Sequence, residues 1–248
     1  MIERHRIRSL LALAYMNGIV PMRTQPLYLL GVMASPLSFL FFITVASHGV
    51  LLRVAVAGGM VLTMVSIGTS LQSDMSHYRQ DLKLQDLLVA SPLEAPIYVA
   101  GIALSELVYS IPGIALFAVL WVVNAPVTIV TVVEVVPVLL LVWAFASGLG
   151  FLLATYFADV RETFIFSTLV SLALTVVPPV YYPVNFLPKA IQPFAYLSPT
   201  TFAADLMRNA FGLEPLSALA RVTDWAVLIG FTVVLLSIAS FKARWRDV

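Results

Sequence analysis

Long apolar runs alternate with short polar breaks along this chain. Runs at residues 26–46, 52–71, 95–123, 127–157, 164–181 and 225–241 each read as a membrane-crossing helix of roughly 20 residues. Ser47-His48-Gly49, Asn124-Ala125-Pro126 and Asp159-Val160-Arg161-Glu162 punctuate them as turns or polar breaks. The third run contains Pro112-Gly113, and the fourth contains Glu134 and Pro137. As one helix the fourth run would be about 45 Å long, so it must tilt, kink or project from the bilayer. Prolines inside such helices are tolerable where neighbouring helices satisfy the freed carbonyls.

Three stretches break the plain pattern. Residues 72–101 are the longest polar interruption in the first two thirds of the chain, with Arg79, Asp81, Lys83 and Asp86 close together. Leu84, Leu87 and Leu88 fall at i, i+3 and i+4 and share one helical face, and Ser91-Pro92 ends that helix. The spacing predicts a short amphipathic helix at the membrane surface, over residues 74–92. The N-terminal segment carries Arg4, Arg6 and Arg8 beside Ile7, Leu10, Leu11 and Ala14 on one face. Asn17-Gly18 and Pro21 interrupt it too early for a signal-peptide cleavage arrangement, so residues 1–22 read as an interfacial helix. The third stretch, 182–223, is too polar for a plain span and too apolar for a plain loop. Pro183, Pro188, Pro193 and Pro199 forbid one continuous helix through it. Two short helices dipping into the outer leaflet and returning, over 182–210, reconcile these facts. Thr200 or Thr201 is placed to cap the second, with Asp205 and Arg208 at i, i+3 on its face.

Composition sharpens the class. Hydrophobic residues make up 60% of 248 and charged ones 11%, with mean hydropathy +0.97. Soluble domains are roughly half apolar and a quarter charged, so this is an integral membrane protein. The net charge of +1 offers no basic surface for nucleic acid. The absence of cysteine excludes disulfides, thiol catalysis and cysteine-ligated metals. Ten basic residues fall on one side (Arg4, Arg6, Arg8, Arg23, Arg79, Lys83, Arg161, Lys242, Arg244, Arg246) and four on the other (Arg53, Lys189, Arg208, Arg221). That asymmetry places both termini, the surface helix and the 159–162 break in the cytoplasm. The predicted fold is an all-α membrane protein in one transmembrane domain over 1–248. It has six spans, an N-terminal interfacial helix, a cytoplasmic surface helix and a re-entrant helical hairpin between spans 5 and 6.

Candidate chemistry is sparse. None of the three lysines follows a glycine, so no phosphate-binding P-loop can be built. His5, His48 and His77 stand apart near span ends, without an HExxH pair or a serine nucleophile elbow. Glu106 is the one acid well inside a span, about 15 Å deep. A charge at bilayer centre costs on the order of 2.5–3.5 kcal/mol on insertion scales, so Glu106 should face the bundle or a wet cavity. It reads equally as a substrate contact or as a hydrogen-bonded packing residue. Ala146, Gly150 and Ala154 make a small-residue stripe on the fourth span that lets helices approach closely.

The stretch Lys83-Leu84-Gln85-Asp86-Leu87-Leu88-Val89-Ala90-Ser91-Pro92 resembles the charged helix between the second and third spans of ABC-2 type transporter permeases. Where that family often has Gly-Thr before the leucine-acid core, this chain has Leu82-Lys83. The proline-rich return is similar too: Pro178-Pro179-Val180-Tyr181-Tyr182-Pro183, Leu187-Pro188, Leu197-Ser198-Pro199-Thr200 and then Arg208. The resemblance covers essentially the whole chain. It implies a half-transporter in which two permeases, identical or paralogous, pair above a dimer of separate ABC ATPase subunits. ATP and Mg would be bound by those partners, with no cofactor in this chain and membrane lipids around it. Arg79, Asp81, Lys83, Leu84, Asp86, Leu87, Leu88, Ser91 and Pro92 would then form the coupling helix that docks on the ATPase. Glu106, Tyr181, Tyr182, Phe186, Asp205 and Arg208 would belong to the transport pathway. The implied activity is export of a drug, lipid or lipid-linked glycan across the plasma membrane. Two other classes compete: a membrane-embedded lipid-modifying enzyme with Asp159, Arg161 and Glu162 as acid–base groups, and a non-transporting assembly factor.

Overall fold

The computed structural model describes residues 2–24, 26–80, 95–157, 159–175 and 177–242. These are helical or in turns, with no strand among the described residues. In chain order the helices are α1 (Ile2–Ala14), a π-helical turn (Tyr15–Ile19), α2 (Val20–Thr24), α3 (Pro26–Ala46), α4 (Leu52–Gln80), α5 (Ala95–Asn124), α6 (Ile129–Ala154) and α7 (Val160–Thr175). A 3₁₀ turn (Val184–Phe186), α8 (Gln192–Ala195), α9 (Pro199–Ala210) and α10 (Ala218–Lys242) follow.

Among the described residues, four stretches are long and apolar enough to cross a membrane: Leu52–His77, Ala100–Asn124, Ile129–Ala154 and Ala218–Phe241. Of the other two expected spans, α3 covers the expected residues, Pro26–Ala46, with Met33–Ala46 as its described apolar part. Helix α7 has 16 residues and stops at Thr175, short of the expected residue 181, because Pro178-Pro179 cannot continue a helix. Helix α6 is also shorter than the run that predicted it. Thr128 caps its start, its side-chain oxygen accepting the Thr131 N–H at 3.2 Å.

Helix α4 is the centre of the bundle, packed against α3, α5, α6, α7 and α9. Small residues let neighbours reach its backbone. A Cβ on Gly68 would lie 2.5 Å from the Ala146 Cβ, and one on Gly150 would lie 2.9 Å from the Gly68 carbonyl oxygen. The stripe Ala146, Gly150, Ala154 is buried, as close helix approach requires. Nearer the start of α4, Gly58 lies under the Val180 carbonyl and Gly59 under the Phe117 ring. Val56, Val61, Leu62 and Val65 pack with Phe117, Trp121, Val138 and Val142 into the main core. Its aromatic part includes Trp121 stacked on Phe211 and Phe39 stacked on Tyr181.

Helix α4 runs on to Gln80, so its final turns carry Gln72, Asp74, Ser76 and His77 as a continuation of a long helix. Residues 81–94, and with them Asp81, Lys83, Leu84, Asp86, Leu87, Leu88, Ser91 and Pro92, lie outside the described residues. Arg79 sits on the last turn of α4, its side chain likewise outside the described part. At the other end of α4, Ser47-His48-Gly49 makes the expected tight turn. His48 and Gly49 both take positive φ, and the Gly49 N–H returns to the Thr44 carbonyl at 2.8 Å.

Candidate functional site

Two polar assemblies are built inside this apolar bundle, one at each end of α4. The first lies between the last turns of α4 and the middle of α5. Ser70, Asp74 and His77 follow at i, i+4 and i+7, which sets them on one helical face. Opposite them, Glu106 and Tyr109 sit at i, i+3 on α5. The Ser70 hydroxyl donates to the Glu106 carboxylate at 2.9 Å. The Asp74 carboxyl lies within hydrogen-bonding reach of Glu106, with His77 and Tyr109 beside the pair. Glu106 is 8% exposed and Tyr109 is buried with it. An acid at this depth therefore faces the bundle, and its cost is offset by hydrogen bonds.

A neutral polar seam runs down the neighbouring face of α4. Ser76 pairs with the Thr163 hydroxyl at 3.4 Å, and the Ser167 hydroxyl donates to the Thr69 carbonyl at 2.9 Å. Gln72, fully buried between those two positions in sequence, has no partner for either amide atom among the described residues. Ser70, Asp74, Tyr109 and Gln72 were not singled out from the sequence. The i, i+4, i+7 spacing of Ser70, Asp74 and His77 was the available signal, once α4 is allowed to run to Gln80.

The second assembly holds the chain between α7 and α10. Here α9 begins at Pro199, whose ring presets the first helical φ, with Ser198 at the N-cap position. The expected cap by Thr200 or Thr201 is not what these hydroxyls do. The Thr200 hydroxyl donates to the Leu174 carbonyl at the end of α7, and the Thr201 hydroxyl donates to the Ala195 carbonyl. Both thus bind preceding chain to α9. The segment before it holds a 3₁₀ turn and the single-turn α8, in place of a first hairpin helix comparable to α9.

At its centre is Arg208, 1% exposed. Its Nε donates to Glu214 at 3.0 Å, its Nη1 to the Pro179 carbonyl at 3.1 Å and the Tyr182 carbonyl at 3.4 Å, and its Nη2 to Asp205. Burial pushes the Asp205 carboxyl above its usual range, and the Arg208 guanidinium draws it back. Tyr181 is buried against the core, and burial pushes its phenol up. Tyr182 is half-buried, while Phe186 is 66% exposed. The structure therefore gathers Tyr181, Tyr182, Asp205 and Arg208 into one region. It leaves Phe186 projecting from it and places Glu106 in the separate assembly.

The surface acid–base group of the enzyme alternative is used locally. The Asp159 carboxylate accepts the Arg161 N–H at 2.7 Å, and its carbonyl accepts the Thr163 N–H and hydroxyl. This is the bonding of a helix N-cap at the start of α7. Among the described residues no group of three or more His, Asp or Glu is placed to hold a metal ion.

Residues 10–211 match the family described as ABC-2 type transporter. No curated protein matches the chain.

Proposed function

The chain belongs to the ABC-2 type transporter family, whose membrane-spanning subunit works with an ABC ATPase subunit, and on that premise we propose that it exports an amphipathic compound. It is a multi-pass permease of an ABC transporter. In the proposed arrangement two permeases, of one kind or two, pair in the plasma membrane with six spans each and both termini in the cytoplasm. An ATPase dimer binds ATP and Mg beneath them. The substrate is a drug, lipid or lipid-linked glycan: an apolar body with a polar head.

The observation that carries this reading is the polar lining of α4. The most enclosed helix of the bundle buries Thr69, Gln72 and Ser76, and carries Ser70 and Asp74 against Glu106. Hydroxyls such as Thr69 and Ser76 serve helix packing, but the paired acids Asp74 and Glu106 are costly in a membrane interior, and they are what points to a path. Glu106 and Asp74 stand at the cytoplasmic side of the path. Residues 182–210, with Tyr181 beside them, form a re-entrant outer gate. The stretch from Arg79 to Pro92 is the coupling helix, its leucines the buried contact on the ATPase and its charges the orientation.

The test is the double variant Leu87→Ser, Leu88→Ser in the permease–ATPase complex. Transport should be lost while the permease still inserts. Unchanged substrate-stimulated ATPase activity in that variant would count decisively against the coupling role.

A further inference from the structure

We propose that Arg208 is a positioning residue: it pins the turn at residues 178–183 to α9, so that the segment 178–214 moves as one body seated on α4. This role rests on reading that segment as the outer gate, and it states what the gate's moving part is.

The turn has an unusual need for a pin. Pro178, Pro179 and Pro183 carry no N–H, so the turn has few internal donors for its own carbonyls. One internal bond, from the Val180 N–H to the Pro178 carbonyl at 2.8 Å, is present. The carbonyls of Pro179 and Tyr182 turn instead to Arg208 Nη1. A guanidinium alone among side chains offers donors on three nitrogens in a rigid fork. Here each nitrogen takes a different direction: Nε to Glu214 beyond α9, Nη2 to Asp205 within α9, Nη1 to the turn. With those nitrogens engaged and the side chain buried, Arg208 is not presented to a passing substrate.

The pinned turn rests directly on the central helix. A Cβ on Gly58 would stand 2.5 Å from the Val180 carbonyl oxygen and 3.1 Å from the Tyr181 Cα, so only glycine admits this seat. Helix α9 also packs on α4, α6 and α10. Displacement of α4 near Gly58 therefore reaches α9 through the turn and Arg208. Without the pin, the turn and α9 would answer to α4 separately.

The chain lacks cysteine, so single cysteines report cleanly. The full permease in lipid nanodiscs, without nucleotide, would carry a cysteine at Val180, at Phe186 or, as a buried control in α6, at Val142. With Arg208 intact, position 180 should react with a small polar thiol reagent at least tenfold more slowly than position 186. Arg208→Lys and Arg208→Met should each raise the rate at 180 at least tenfold and leave 142 unchanged. Adding Asp205→Ala and Glu214→Ala to Arg208→Met removes the unpaired acids and brings in no donor, so position 180 should stay reactive. Restored protection there would show that Arg208 only balances charge and would overturn the proposal. So would an unchanged rate at 180 in the single variants, or a parallel rise at 142. Hydrogen exchange on the unsubstituted protein tests the pin with Arg208 in place. The Val180 amide, bonded to the Pro178 carbonyl, should exchange together with those of α9, and much faster exchange there would refute the pin. The gate reading fails separately, if labelling at 180 and 186 does not change when the partner ATPase binds ATP.

Discussion

Gly150 of α6 meets the carbonyl oxygen of Gly68 of α4 where the two helices cross. A Cβ at position 150 would stand 2.9 Å from that oxygen and 3.2 Å from the Gln72 amide nitrogen. Both neighbours are backbone and cannot swing aside. Gly150→Ala should therefore destabilise the bundle, and Gly150→Leu more so, by about 1–3 kcal/mol as overpacking usually costs. Gly230 on α10 is the control, since nothing lies within 4 Å of a Cβ there. Gly230→Ala should be neutral or stabilising, by up to about 1 kcal/mol from helix propensity. Thermal unfolding of the purified chain in detergent checks the contrast.

Glu106 holds its place through the Ser70 hydroxyl and the Asp74 carboxyl. Glu106→Gln keeps a hydrogen-bonding head in the same volume, so the protein should fold and assemble with altered transport. Glu106→Leu leaves Asp74 without that partner, and an unsatisfied buried polar group costs about 1–3 kcal/mol. Ser70 is less affected, because its hydroxyl also reaches the Ile67 carbonyl at 2.7 Å. Transport assays and unfolding curves on both variants decide the matter. A Glu106→Leu protein that is fully active and more stable would make this a packing position.

The topology is checked with cysteines at residues 77 and 246. Ten basic residues against four predict that both face the cytoplasm. An impermeant reagent applied to intact cells should leave both unlabelled. Labelling of either from outside would contradict the orientation.

A cysteine scan over residues 184–206 tests the outer gate. Val184, Ala195, Phe202, Ala203 and Leu206 are buried in the protein and should resist labelling wherever the segment lies. Phe186, Ile191, Phe194 and Leu197 are exposed, so they distinguish lipid from water. A re-entrant gate keeps them slow towards a polar thiol reagent and changes them when the ATPase binds ATP. Uniformly rapid labelling across the stretch would show an external loop.

What the sequence made legible follows from the range of the forces involved. The ends of α3 and α5, at Ala46 and Asn124, and the Ser47-His48-Gly49 turn rest on local apolar length and turn chemistry, and they could be read directly. The end of α4 could not. Gln72, Asp74, Ser76 and His77 look like a surface break, yet Gln72 and Ser76 are buried and Asp74 is half-buried because α5 and α7 bring polar groups to this helix. Only tertiary packing reveals that. The i, i+3 pairing of Asp205 with Arg208 was local and visible. The Pro179 and Tyr182 carbonyls are 29 and 26 residues away from Arg208, and no spacing rule connects them. Glu106 was legible as an inward-facing acid, but its partner Asp74 was hidden in the apparent break.

The short length of α7 has a consequence for the lipid around it. Sixteen residues make about 24 Å of helix, while the hydrocarbon core of a bilayer is about 30 Å thick. If α7 crosses the bilayer, the membrane beside it is pinched, or the proline turn makes up the missing depth. Hydrophobic mismatch of this kind costs fractions of a kcal/mol per Å. The host membrane's acyl-chain length then becomes an input to the transporter. Thicker bilayers should pull on the turn at residues 178–183, and thinner ones should relax it. Reconstitution in a series of phosphatidylcholines of increasing chain length should shift transport rate systematically. A flat response across the series would show that α7 and its lipids are matched.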